Sequence, residues 1–242
     1  MLTITTDGPH TVAATFAPSS PFPDVPGNRA DAAAITALAA RGTIRGYGDG
    51  RYGPDDGVQR AQMAALIARA MPAGPGTPPG MVVPPACTAG TWDCEDWGNG
   101  FSDPGGLTGG LWRDAGTLQH YKVAFGYDGA ACAARGVVSP CYAPTAPVSY
   151  VETVTFITRA MVAKGYWAMQ PNAPQPYAGV PAVFAATVAT YQFYTGAIPA
   201  PPDDWNAGAT RGWFAQALWT ALDSYWGTDG TLPDGRLAGG AP

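Results

Sequence analysis

The sequence predicts a mainly α-helical protein of three helix–loop–helix units, preceded by a short β-hairpin. Three observations carry that prediction. Six segments place apolar residues at helical spacing, Gly- and Pro-rich stretches separate them, and the helix–loop–helix pattern recurs at a broadly constant interval along the 242 residues.

Taken in order, residues 2–17 alternate on either side of Asp7-Gly8, which is a hairpin signal. Two strands alone are marginal in water, so residues 1–20 read as the last hairpin of a preceding β domain. From Pro21 the pattern turns helical. Residues 31–41 put Ile35, Leu38 and Ala39 on one face, and Gly42 is placed to supply a left-handed cap. Gln59–Met71 carries Met63, Leu66, Ile67, Ala70 and Met71 at helical spacing until Pro72 stops it. Residues 73–100 are rich in Pro and Gly, show no helical period and read as an insertion.

Helical spacing resumes over Asp114–Phe125, with Leu118, Tyr121 and Phe125, and again over Ser149–Lys164, with Val151, Val154, Ile157 and Met161. After a Pro-rich stretch, Ala182–Tyr194 carries Phe184, Val188 and Tyr191 and is capped by Gly196. Arg211–Tyr225 carries Phe214, Ala217, Leu218, Ala221 and Leu222. The units therefore span 21–72, 101–167 and 168–227, with 228–242 as a flexible tail.

Composition narrows the function. The net charge is −5 and the basic residues are scattered singly, so no stripe exists to hold a nucleic acid. Only 13% of residues are charged, against about 25% in an average soluble domain. No apolar run reaches the roughly 20 residues of a membrane span. Cys87, Cys94, Cys132 and Cys141 allow three pairings, of which the sequence-close one closes two short loops. A zinc site would want closer cysteines with a histidine nearby, and His10 and His120 sit elsewhere. Disulfides, an oxidising compartment and no metal or cofactor are therefore expected. With no export signal at Met1, the chain reads as the C-terminal piece of a longer secreted protein.

An enzyme is not expected. Asp93, Glu95, Asp96 and Asp103 cluster near Trp92 and Trp97, and a glycosidase would use two carboxylates beside a sugar cleft. A Gly-rich insertion around Cys94 is a poor platform for such geometry. Nucleophile-elbow, zinc-protease, phosphate-loop and dinucleotide motifs are all missing from the sequence.

The first unit reads Phe22-Pro23-Asp24-Val25, then Ile35 and Leu38, then Gly46-Tyr47-Gly48-Asp49-Gly50-Arg51-Tyr52-Gly53-Pro54, then Gln59-Arg60-Ala61-Gln62. This resembles an S-layer homology (SLH) repeat. The second unit is looser, opening with Phe101-Ser102-Asp103 and closing with Pro147-Val148-Ser149-Tyr150-Val151-Glu152. In it, the Cys132 to Cys141 segment resembles the same loop with a disulfide staple. A rival register would instead align Ala133–Gly136 with Ala39–Gly42. The third unit offers Tyr177-Ala178-Gly179-Val180, Gly196-Ala197-Ile198 and Thr210-Arg211.

The resemblance implies a pseudo-threefold helical bundle, with grooves between neighbouring repeats that bind cell-wall polysaccharide, often through a pyruvylated sugar. It also implies an extracellular place on the cell surface or wall. A pyruvyl ketal presents a carboxylate, which guanidinium grips through two parallel hydrogen bonds. Arg60, opening a helix, is thus the leading candidate ligand residue, with unpaired backbone N–H groups beside it. Arg211 is its counterpart in the third unit. Gly46, Gly48 and Gly50 would let the loop approach a ligand, Tyr47 or Tyr52 would cover a sugar face, and Trp205 would stack on one. Asp24 reads as a helix or turn cap. Tyr150 replaces the arginine in the second unit, while Gln62 and Trp213 replace the usual glutamate. The alternative expectation is a structural module that assembles with other surface proteins through protein–protein contacts.

Overall fold

The computed structural model of the chain describes residues 20–71, 91–92, 100–103, 110–174 and 176–226. The expected hairpin, the Cys87–Cys94 pair, Asp93, Glu95, Asp96 and Trp97, and the 228–242 tail lie outside these residues. Among the described residues the protein is mainly helical: α1 (Ala32–Ala40), α2 (Arg60–Ala70), α3 (Gly110–His120), α4 (Gly129–Ala133), α5 (Tyr150–Ala163), a 3-10 turn (Ala182–Phe184), α6 (Ala185–Thr195) and α7 (Arg211–Trp226).

The sequence explains most boundaries. Gly42 and Gly196 take left-handed conformations just past α1 and α6, with φ of 72° and 76°. Reciprocal capping boxes start α2 (Gln59 with Gln62) and α5 (Ser149 with Glu152), satisfying N–H groups that a helix start leaves open. Two expectations need correction. The helix expected over 114–125 runs from Gly110 and ends at His120, because Lys122 turns left-handed and the N–H groups of Val123 and Ala124 both bond back to the Leu118 carbonyl. Phe125 therefore lies outside it and is 56% exposed. Helix α4 was not expected; five residues are too few to show a period, although Asp128 caps it.

Helices α2, α5 and α7 form the interior. Small residues such as Ala61, Ala64, Ala65 and Ala68 on α2 keep it buried on nearly every side, and Met63, Leu66 and Ile67 fill the core with Val154 and Ile157 of α5 and Phe214 and Leu218 of α7. The other helices cross over: α3 packs on α2, α6 on α5, and α1 returns to pack on α7.

The segments that lead into α2, α5 and α7 meet in a closed cycle. Val148 N–H donates to the Val58 carbonyl (2.8 Å), Ala209 N–H to Val148 (2.8 Å), and Val58 N–H to Ala209 (3.0 Å). Each helix start then bonds to the next loop in the cycle. Arg60 and Ala61 donate to Ala146 and Pro144, Tyr150 and Val151 to Ala207 and Trp205, and Arg211 and Gly212 to Asp56 and Pro54.

Gly46 closes the first loop, with φ of 68°, and a Cβ there would sit 2.6 Å from Phe22 Cε1 and 2.7 Å from the Arg51 carbonyl. Gly126 closes the second loop in the same way, against Phe101 and the Cys141 carbonyl. Gly46, Gly48 and Gly50 of the first loop should therefore separate by cause in chemical denaturation. Gly46→Ala should cost about 2–4 kcal/mol from strain and overlap. Gly50→Ala, left-handed but in open space, should cost about 1 kcal/mol. Gly48→Ala, with neither burden, should stay within about 0.5 kcal/mol.

Candidate functional site

Two junctions between helix starts and loops share one plan. In the first, Asp24 accepts the N–H groups of Tyr52 (2.9 Å) and Gly53 (2.7 Å), which bends the loop so that the Tyr52 ring enters the core. In the second, Asp103 accepts those of Tyr142 (2.5 Å) and Ala143 (2.7 Å). Tyr52 then donates its hydroxyl to the Arg211 carbonyl and Tyr142 to the Arg60 carbonyl, both at 2.8 Å. In return Arg211 Nε donates to the Tyr52 carbonyl and Arg60 Nε to the Tyr142 carbonyl, again at 2.8 Å. Each arginine is thus locked to a tyrosine of a neighbouring loop. Asp24 is the turn cap expected of it. Asp103 is a buried clamp.

The two guanidinium groups differ in charge balance. Arg60 is 2% exposed, stacks on Tyr127, Tyr142 and Phe156 at 4.6, 5.0 and 5.1 Å, and pairs with Glu152 Oε1 at 2.9 Å. Arg211 is 6% exposed and stacks on Tyr47 at 4.5 Å and Tyr52 at 4.6 Å. Among the described residues Arg211 makes no ion pair. The reason lies in register. Glu152 stands two residues into its helix, and the residue at the same position of α2 is the neutral Gln62. At the third junction the pair is aromatic, with Tyr150 edge-on to Trp213 at 4.7 Å.

The remaining expected residues lie around these junctions. Tyr47 is half-buried and donates its hydroxyl to Asp56 at 3.0 Å. Burial and that bond raise its pKa, while Arg211 pulls it the other way. Gly48 is exposed with open space around it, whereas Gly46 serves the packing of Phe22. Tyr52 and Trp205 are 0% and 1% exposed, so neither presents a face to a sugar. Trp205 packs at a tilt on Tyr177 and accepts the Val151 N–H. The unpaired N–H groups expected beside Arg60 are also absent, since Ala146 and Pro144 carbonyls take them.

Cys132 and Cys141 are joined by a disulfide, as the sequence-close pairing expected. Gly126-Tyr127 is bonded as Gly46-Tyr47 is: Tyr127 N–H bonds to the Cys141 carbonyl as Tyr47 N–H bonds to that of Arg51. Sequence reasoning passed over Tyr127, Tyr142 and Glu152 as site residues; the Gly-Tyr match was the available signal. A shallow cavity of about 210 Å³ opens beside the start of α7, lined by Arg29, Ala30, Asp31, Thr210, Trp213 and Gln216. Its arginine is balanced by Asp31 at 2.9 Å and Asp55 at 2.8 Å.

Partial burial opposes ionisation of Asp24, but the N–H groups of Tyr52 and Gly53, with help from Arg51, hold its pKa below the ordinary 3.8. A depressed carboxylate stabilises the fold fully above that ordinary value and ceases to do so as the pH falls through the folded one. Asp24→Asn should therefore cost about 1 kcal/mol at pH 7, and thermal melts should show the gap to wild type closing below about pH 4.

Residues 21–64 match the family described as S-layer homology domain, a stretch that runs from Phe22 and Asp24 through the Tyr47–Tyr52 loop to the first turn of α2. No curated protein matches the chain. S-layer homology domains are non-catalytic modules that generally anchor proteins to the cell wall. No helix among the described residues is long and apolar enough to cross a membrane. Over residues 21–64 the chain is thus similar to the S-layer homology domain family.

Proposed function

We propose that residues 21–226 form one anchoring module of three S-layer-homology-like repeats, which attaches its protein to a bacterial cell wall by binding wall polysaccharide. The cyclic bonding of Val58, Val148 and Ala209 supports three equivalent repeats around a pseudo-threefold axis. So does the way each outer helix packs on an inner helix of a neighbour.

The observation that carries the binding function is Arg211. Its Nε is fixed to a backbone carbonyl and its plane is held by two tyrosines, yet no carboxylate of the described residues balances it. A pyruvylated glycan supplies the missing carboxylate, which accepts from the terminal guanidinium nitrogens in a pre-organised cleft. Arg60 fills the equivalent place but already has its carboxylate in Glu152, so it acts as a structural tie between neighbours. A second reading, assembly through protein–protein contacts, is favoured by Phe193 and Val183, which are 58% and 81% exposed on the third repeat. Concentration-dependent assembly without glycan in analytical ultracentrifugation would decide for it.

Calorimetric titration with purified pyruvylated wall polysaccharide tests the anchoring function. Wild type should bind, and Arg211→Ala should weaken binding at least tenfold, about 1.4 kcal/mol. Arg60→Ala should keep most of the affinity but lose about 3 kcal/mol of stability, because it leaves Glu152 and the Tyr142 carbonyl without their partner. Undiminished binding by Arg211→Ala would contradict the assignment.

A further inference from the structure

We propose that Arg135, carried on a disulfide-stapled loop, is a second glycan-binding residue that restores a cation to the cleft where Glu152 cancels Arg60. The inference rests on the anchoring function above and names a residue outside the S-layer homology match.

The argument begins with loop length. Between Tyr47 and Tyr52 lie four residues; between their structural counterparts Tyr127 and Tyr142 lie fourteen. The loop bases are closed alike, by Tyr47 N–H to Arg51 at 2.7 Å and by Tyr127 N–H to Cys141 at 2.8 Å. The extra residues build α4, started by the Asp128 side chain on Ala131 N–H and ended by backbone bonds of Arg135, Gly136 and Val137 to Cys132 and Ala133. A five-residue helix does not persist in water on its own. The Cys132–Cys141 bond ties it to the loop base.

What this device holds in place is Arg135. Its guanidinium stacks on the Tyr127 ring at 4.5 Å, the same ring that Arg60 stacks on at 4.6 Å. Its Nη1 donates to the Ala131 carbonyl at 2.6 Å, which fixes the plane of the group. Arg135 is exposed and makes no ion pair among the described residues. The first loop does the opposite: Arg51 pairs with Asp49 at 2.8 Å. Each cleft thus has a buried arginine and a loop arginine near its tyrosine, and one of the two is cancelled. In the Arg211 cleft the loop arginine is cancelled; in the Arg60 cleft it is the buried one.

An exposed guanidinium already oriented by a ring and a carbonyl loses little freedom on binding, and its remaining N–H groups suit a carboxylate. The ligand class is the same acidic, carboxylate-bearing glycan. Opening the disulfide removes the tie on α4, so the site depends on the redox state of Cys132 and Cys141.

The test is calorimetric titration of the full chain with purified pyruvylated wall polysaccharide, and with the same material after mild-acid removal of the ketal. Four proteins are compared: wild type, Arg135→Ala, Cys132→Ser/Cys141→Ser, and the triple variant, each checked by circular dichroism for native helix. Arg135→Ala and the cysteine variant should each bind three- to tenfold more weakly, the triple variant should be no weaker than Arg135→Ala, and the acid-treated glycan should erase the differences. Arg135→Ala binding as wild type, or a cysteine effect that adds to the Arg135 effect, would overturn the proposal while leaving the anchoring function standing. Failure of wild type to bind at all would remove both.

Discussion

Everything in this fold depends on the closed cycle of three backbone hydrogen bonds joining Val58, Val148 and Ala209. Each segment is at once donor to one neighbour and acceptor from the other. The cycle also settles where α2, α5 and α7 begin. The first N–H groups of these helices, which a helix cannot satisfy internally, are taken by carbonyls of the adjacent loop. Helix starts are thereby brought under loops that are distant in sequence; Tyr52 and Arg211 are 159 residues apart.

A common scaffold then carries three different junctions. Asp24 and Asp103 make the same turn, Gly46 and Gly126 admit the same aromatic ring, and Tyr52 and Tyr142 lock the next helix in the same way. The charges placed on that frame differ. One junction holds an internal ion pair, one an aromatic pair, and one a guanidinium without a balancing carboxylate among the described residues. Backbone bonding conserves the geometry, which leaves side chains at the cleft mouths free to diverge without loss of the fold.

Much of this was legible in the sequence. Apolar spacing located six helices, and Asp24 read correctly as a cap. The errors share a physical origin. Tyr52 and Trp205 look like loop aromatics available to a ligand, but their loops fold inward because a helix start elsewhere needs their carbonyls. Arg60 looks like a free cation because its partner Glu152 is 92 residues away, and pairing across units leaves no local mark. Helix α4 is too short for periodicity and is held by a covalent bond rather than by a buried face. Local propensity and spacing are visible along a chain; cyclic closure between units is not.

The most direct test of this account is native-state amide hydrogen exchange at Val58, Val148 and Ala209. If the cycle is one cooperative element, the three amides should share a single opening free energy, equal to that of the most protected amides in α2, α5 and α7. Should Ala209 exchange orders of magnitude faster than Val58 and Val148, the third segment opens by itself, the cycle is not closed in solution, and the Arg211 cleft is not pre-assembled.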